Sequence, residues 1–376
     1  MSDRCFDVVV IGAGPAGTCA ALAALAAGAR TAIVERAVFP RSKVCGCCLA
    51  PAGIAALRSL GAEDVLHDAV ALREVVVEAG GASARISGDR GAAIGRDVLD
   101  DRLLRRAAEH GASAWTDTSA TVTGPGEVTL TDRSGGRTAS LSAAVVLVAD
   151  GLGGSALRAA GAGSNADAAW HVSRGSRMGF GAVLPAGTVE CASGVIRMKV
   201  APGGYVGAVQ LADGRVDVAA AADPTTVRRL GGPAACAQEW LGDAVRRPDA
   251  LRAAAWRGTP TLTRRRAKVH GPRLMVVGDA AGYVEPFTGE GMGWAMSAGR
   301  AAGDLAARVA RGSAVTADWP RMMHAIHSHD RVRCRAIALA LRSPMLTGAA
   351  LRALALAPSV LEALARRIGR PSARAA

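Results

Sequence analysis

An apolar run from Val8 to Ile11 leads into Gly12-x-Gly14-x-x-Gly17, and no other stretch constrains the fold as strongly. An alanine- and leucine-rich segment from about Pro15 to Ala27 follows, with helical character. A second apolar run, Thr31 to Val34, then ends on the acid Glu35. Together these form a complete βαβ unit with the signature of dinucleotide binding. Gly12 permits the tight turn off the strand, Gly14 lets the backbone approach a pyrophosphate, and Gly17 lets the helix pack close to the sheet. Free N–H groups and the positive end of the helix dipole then face the phosphates. Glu35 stands where a carboxylate accepts ribose hydroxyls. A glycine-rich turn in an ordinary βα unit would have no use for that acid.

With 376 residues, the chain is long enough for two domains or for one large domain with insertions. Half the residues are hydrophobic but only 3% are aromatic, so alanine, valine and leucine must fill the core. No uncharged apolar run reaches the roughly 18 residues of a membrane span. The first strand begins within a few residues of Met1, which leads us to expect no signal peptide and a cytoplasmic location. The net charge is +13, carried almost wholly by arginine, because Lys43, Lys199 and Lys268 are the only lysines. Dense arginine without interleaved aromatics or a DNA-binding motif does not indicate a nucleic-acid partner. An anionic cofactor or an acidic membrane surface suits it better.

The order of the elements suggests how the chain is organised. Residues 51–60 read as a short helix, 71–90 as a hairpin and 97–111 as an amphipathic helix ending at Gly111. Short strands follow at 121–132 and 137–142, then a buried strand from Ala144 to Ala149 that ends in Asp150-Gly151. Between 171 and 222, strand-like runs are punctuated by Pro-Ala-Gly, Pro-Gly-Gly and Asp-Gly, which predicts an antiparallel sheet. Residues 234–255 return to helix. Arg273 to Gly278 form another buried strand, followed by Gly278-Asp279-Ala280-Ala281-Gly282 and a long helix to about Gly312. Asp150 and Asp279 both stand at the C-terminal end of a strand, where open α/β sheets bind ligands. Either residue alone would also serve as a helix N-cap.

Taken in order, these signatures resemble the flavin-dependent oxidoreductases that share the para-hydroxybenzoate hydroxylase fold: class A flavin monooxygenases, flavin halogenases and geranylgeranyl reductases. The resemblance covers about residues 5 to 320. Gly12, Gly14, Gly17 and Glu35 match the ADP-binding fingerprint. Arg96 matches the arginine before the family's flavin-domain helix. Asp150-Gly151 with Arg158 match its second motif, and Gly278-Asp279 the motif whose aspartate holds the ribityl chain. Pro286 and Gly289-Glu290-Gly291-Met292-Gly293 match the loop beside the flavin ring. The resemblance therefore implies FAD as cofactor, with Ala16, Arg36 and Arg41 as further contacts. It implies an α/β architecture in which a Rossmann-type FAD-binding domain (residues 1–70, 95–165 and 262–320) carries an inserted antiparallel β-sheet substrate domain (71–94 and 166–261). A C-terminal helical segment, 321–376, follows.

The branch of this family is less constrained. Phe39-Pro40-Arg41-Ser42-Lys43-Val44-Cys45-Gly46, followed by Leu49-Ala50-Pro51, resembles the geranylgeranyl reductase loop. The reductases' Tyr-x-Trp-x-Phe-Pro motif is replaced here by Tyr205-Val206-Gly207, and the halogenases' Trp-x-Trp-x-Ile-Pro is missing. The sequence-based expectation is an NAD(P)H-dependent monooxygenase acting on a hydrophobic aromatic or polyketide-like substrate. The alternatives are an ene-reductase of isoprenoid double bonds and a flavin redox sensor without catalysis. Cys45, Pro286 and Gly291 are the candidate catalytic positions. Arg41 and Lys43 are expected to lower the Cys45 thiol pKa, against a plain packing role for Cys45, Cys47 and Cys48. His324, His327, His329 and Asp330 read as a solvated helix face, so no metal is expected. The apolar, arginine-studded tail reads either as a surface helix packed on the body or as a peripheral membrane contact.

Overall fold

The computed structural model describes residues 4–157, 170–285, 287 and 289–355. Among these, the helices are α1 (Pro15–Ala26), α2 (Pro51–Ser59), α3 (Arg96–Glu109), α4 (Pro224–Leu230), α5 (Pro233–Leu241), α6 (Pro248–Ala253), α7 (Gly291–Ala310), α8 (Trp319–Ala340) and α9 (Pro344–Ala355). The structure is mixed α/β, with a parallel sheet, additional antiparallel sheets and C-terminal helices.

The first sheet is built on Arg4–Ile11. Thr31–Val34 pairs parallel on one side of it and Arg137–Val148 on the other. Ser113–Trp115 and Leu274–Val276 extend the parallel order outward. Both faces are buried, as a parallel sheet requires. Val8 and Val10 point into the layer of α1 and α7. Val9 and Ile11 point the other way, against Val122 and Leu130 of the hairpin Ser119–Thr131. That hairpin continues antiparallel into Arg137–Val148. The two separate strands expected at 137–142 and 144–149 are therefore one continuous strand, because its N-terminal half pairs with the hairpin and its C-terminal half with Arg4–Ile11.

Helix α1 carries no charged residue in its first or last turn, and residues 15–24 are all buried. Its composition answers the shortage of aromatics. Alanines and glycines let α7 lie almost in backbone contact across it. A Cβ added at Gly299 would overlap the carbonyl oxygen of Ala16, and one at Gly303 that of Ala20. Close packing of small side chains gains many weak dispersion contacts where large side chains are few.

The second sheet runs, in spatial order, Arg257–Thr261, Met178–Leu184, Val216–Ala222, Gly204–Gln210, Val195–Ala201, Val70–Ala79, Ala82–Ala93 and Cys48–Leu49. It is antiparallel except where Val195–Ala201 meets Val70–Ala79 in parallel. That join exists because the 70–93 hairpin and the 178–222 strands are far apart in sequence and meet edge to edge. Helices α4, α5 and α6 cover one face, burying Phe180, Val206, Val218, Trp240 and Leu251. The opposite face looks toward the nucleotide-type sheet across a cleft. Helices α8 and α9 close its far end. Trp319 at the start of α8 is fully buried and donates its indole N–H to the Val276 carbonyl at 2.8 Å. Helix α9 sits on the 70–93 hairpin so closely that a Cβ at Gly348 would lie 2.7 Å from the Ala79 oxygen.

Candidate functional site

A cleft of about 1060 Å³ runs from the glycine turn, along the C-terminal ends of the parallel strands, to the open face of the second sheet. Its polar end is lined by Glu35, Arg36, Arg41, Lys43, Arg96, Asp150 and Asp279, and its apolar end by Val75, Val77, Ile196, Met198, Leu262, Ile337 and Leu351.

Local sequence dictates the polar end. Gly12 has φ +103°, and a Cβ there would lie 2.5 Å from the Ala149 oxygen. Only glycine lets the first strand turn beneath the strand that carries Asp150. Gly14 differs in kind. The nearest atoms to a Cβ there are the guanidinium nitrogens of Arg41 at 3.6 Å and Arg96 at 3.8 Å. Its face opens on the cleft, under two cations and at the start of α1, whose N-cap has no side-chain partner. Uncapped helix N–H groups and paired guanidiniums form a receptor for a diphosphate.

Three acids hold this receptor in place. Glu35 accepts the Ala13 N–H and the Ala37 N–H, both at 3.0 Å, and stands 3.6 Å from Arg41. Beyond its expected role at a ribose, it ties the glycine turn to the loop that carries Arg41. Arg96 donates to both oxygens of Asp100 at 2.9 and 2.7 Å, and Arg41 reaches the same carboxylate at 3.1 Å. Asp100 is fully buried and was not anticipated from sequence, although Arg96-x-x-x-Asp100 has the i, i+4 spacing of a helical pair. A buried carboxylate shared by two arginines contributes position more than stability. Asp150 accepts the Ala156 N–H at 2.9 Å and so holds the 151–156 loop. Its other oxygen is buried with no partner among the described residues.

Gly278 and Asp279 form a single 3-10 turn, not the start of a long helix. A Cβ at Gly278 would sit 2.7 Å from the Ala16 methyl, so these two positions govern how closely that turn approaches α1. Asp279 faces the cleft, and burial together with the Arg96 charge lowers the Lys43 ammonium pKa, an effect that the nearby Asp279 carboxylate only partly opposes. Gly289, Gly291 and Met292 line the cleft at the start of α7, and Gly289 backs onto Cys48, with a Cβ there 3.5 Å from the Cys48 Cβ. Between them Glu290 is buried and bound by Arg333 at 2.5 Å, which anchors the loop to α8. The candidate positions Pro286 and Arg158 lie outside the described residues.

Cys45 and Cys48 line the cleft, whereas Cys47 is buried. The Cys45 thiol is lowered to about 6 by a hydrogen bond from the Cys47 thiol, against the opposing effect of burial and with further help from the Arg96 charge. The expectation that Arg41 and Lys43 supply the cation is therefore corrected. Arg41 is committed to Asp100 and Glu35, and the Lys43 ammonium lies toward Gly151. Cys47 is held protonated by donating to Cys45 and by burial, and Cys48 by burial. Among the described residues no cluster of histidine, cysteine or carboxylate side chains has the arrangement of a metal site. The side chains of His327, His329 and Asp330 lie outside them.

The apolar end contains one polar assembly. Tyr205 stacks edge-on against Phe287 at 5.0 Å, under the Arg177 guanidinium at 5.7 Å. Arg177 is buried and pairs with Glu285 at 3.1 Å, and Glu285 accepts from the Tyr205 phenol. Burial raises the pKa of both Glu285 and Tyr205. Gly207, two positions on from Tyr205, lines the chamber and makes room for Met198, whose sulfur would lie 2.7 Å from a Cβ there.

Residues 5–319 match the model of the FAD binding domain family. A menaquinone reductase of Mycolicibacterium smegmatis is 30% identical over 359 residues, spanning 90% of this chain and 85% of that protein. A digeranylgeranylglycerophospholipid reductase of Methanoculleus marisnigri is 27% identical over 314 residues, spanning 81% of this chain and 77% of that protein. In three dimensions a flavin-dependent brominase superposes with a TM-score of 0.77 at 17% identity, covering 98% of this chain and 95% of the brominase, a likeness of fold alone. No described helix is long and apolar enough to cross a membrane. The arginine-flanked glycine turn, the strand-end aspartates and the match over 5–319 converge: the chain belongs to the FAD binding domain family and is an FAD-dependent oxidoreductase.

Proposed function

We propose that the enzyme reduces a carbon–carbon double bond in a polyprenyl-bearing lipid, such as a prenylquinone, with NAD(P)H as the source of electrons. The observation that carries this reading is the continuity of the cleft. An apolar chamber opens directly from the cofactor end and runs beneath α8 and α9, where Ile337, Leu341 and Leu351 line it. An extended hydrocarbon chain is the ligand such walls desolvate best. The named activities of the two sequence relatives, both reductases of prenyl-bearing compounds, favour reduction over oxygen transfer to an aromatic ring.

The residues present fit FAD. Arg41, Arg96 and the backbone at Gly14 would take the diphosphate, Glu35 a ribose, and Asp279 the ribityl chain. The unpartnered Asp150 oxygen at the cleft edge is a further acceptor awaiting a donor. FAD, when bound, supplies the two-electron redox chemistry. The protein binds, orients and excludes water. The amides that start α7 would stabilise negative charge at the ring. The Cys45 thiol, its pKa lowered by the Cys47 hydrogen bond and the Arg96 charge, would lie at the cleft beside the ring, with Cys47 held as the thiol behind it.

The test is anaerobic. Reduced holoenzyme is mixed with a prenylquinone of defined chain length, and the product is weighed by mass spectrometry. A gain of two hydrogens that survives re-oxidation of the quinol to the quinone is expected without O₂, because reduction of the ring alone also adds two hydrogens and is reversed by that step. No anaerobic product, together with incorporation of labelled oxygen from ¹⁸O₂ into a phenolic substrate, would instead establish the monooxygenase that the sequence alone suggested.

A further inference from the structure

Helices α8 and α9 have two faces of similar composition in different settings. The inner residues Ile337, Leu341 and Leu351 line the chamber. On the outer side Val332 and Leu339 are 69% and 65% exposed, and their spacing of two helical turns puts them on one stripe. In the first turn of α9, Met345 is 80% exposed and Leu346 71% exposed. Isolated exposed apolar side chains are ordinary, but four large ones on one helix pair are not.

The surrounding charge is one-sided. Positions 331–355 contain five arginines and no acidic residue, although Arg333 turns inward to Glu290. Arg335 lies within the stripe, and Arg335, Arg342 and Arg352 are all exposed. The seat beneath is firm, not frayed. Arg342 donates to the Gly175 carbonyl at 2.6 Å and Arg352 to the Gly80 carbonyl at 2.8 Å. A Cβ at Gly80 would lie 2.7 Å from the Pro344 oxygen, so the start of α9 rests on the hairpin backbone. An apolar stripe edged by cations, fixed parallel to the surface, is the pattern of a helix that lies in a lipid interface. Anionic headgroups complete its charge. A second copy of the same face would bring like charges together, which disfavours self-association.

We propose that the outer face of α8 and α9 docks on an anionic lipid bilayer, placing the chamber behind it within reach of a bilayer-dissolved substrate. The substrate half of this statement rests on the reductase reading, whereas the docking half does not. The experiment uses the full-length holoenzyme with vesicles of phosphatidylcholine alone or mixed with phosphatidylglycerol. Co-sedimentation with the anionic vesicles is expected, weakening as salt rises. Replacing Leu339→Glu, Met345→Glu and Leu346→Glu together should cut vesicle affinity about tenfold or more. Bound FAD and turnover of detergent-dispersed substrate should persist. Equal binding by this variant and the parent overturns the proposal, as does no binding to anionic vesicles. A dimer that the variant abolishes, without vesicle binding, assigns the face to a second copy. Binding that appears only after removal of residues 356–376 assigns it to that segment. If detergent-dispersed lipid is not reduced while docking persists, the reductase reading fails and the membrane face stands.

Discussion

Gly14 is the residue on which cofactor retention turns. Its missing side chain is what exposes the α1 amides beneath Arg41 and Arg96. Gly14→Val should yield a folded but colourless protein, with FAD retention reduced at least about tenfold. Gly124→Ala, outside the cleft and with only ordinary contacts to Glu127 at 3.7 Å, serves as the control, and flavin absorbance after gel filtration is the readout. The cysteine loop makes a second prediction at this scale. Because Cys45 is lowered to about 6 while Cys47 and Cys48 are raised, iodoacetamide should label Cys45 selectively in FAD-free protein at neutral pH. The thiol is protonated and slow below the folded pKa, so the labelling rate should climb through about pH 6 and level off above it. Peptide mapping that finds a rate rising only near pH 9 would remove the thiolate from the mechanism. Both residues were visible in the sequence, as was Cys47 beside Cys45, but the cation that joins them was not. Arg96 lies on another element and reaches the loop only because Asp100 turns it there.

At the scale of elements, the α1–α7 contact decides how the glycine turn meets the 289–292 loop. The two helices touch through Gly299 and Gly303, where added Cβ atoms would overlap main-chain oxygens of α1. A backbone acceptor cannot rotate away as a side chain does, so the helices must separate. Gly303→Val is expected to cost about 1–3 kcal/mol through overpacking and to weaken FAD binding at the same time. Differential scanning fluorimetry with and without added FAD would check this, and an unchanged melting temperature would sink the account. Helix α3 was legible from its apolar spacing and the closing Gly111, α1 from its alanine- and leucine-rich run after the glycine turn, and α7 as the long helix following the Gly278–Gly282 segment. The parallel join between Val195–Ala201 and Val70–Ala79 was not, because no local signal says which edge strand meets a distant hairpin.

At the scale of the whole molecule, Arg177 links three parts of the chain. It is buried, pairs with Glu285 near the flavin-ring loop, and donates to the Leu341 carbonyl between α8 and α9. Arg177→Met would leave Glu285 buried without its cation, at a cost of about 3–5 kcal/mol. The protein should melt earlier, and α8–α9 should become open to limited proteolysis near residue 341. Glu285→Gln breaks the same pair and leaves the buried Arg177 only the Asp223 carboxylate at 3.7 Å as a counter-charge, so it should melt earlier as well. Melting curves indistinguishable from the parent's for both variants would show that the ion pair does not hold the helices down.

The sequence by itself determined the βαβ unit, the strand-end aspartates and a dinucleotide site, because glycine spacing and strand-to-helix punctuation are local properties of the chain; the family resemblance made that dinucleotide FAD. Tertiary structure decided what those signals act upon. It brought Asp100 under two arginines from separate elements. It set Cys45 against Arg96 from another element, beside its near neighbour Cys47, and not against Arg41 and Lys43. It laid α8 and α9 over the open face of the second sheet, so that one side of each lines the chamber and the other meets solvent. Such outcomes depend on which surfaces pack together, and packing joins residues that no spacing rule connects.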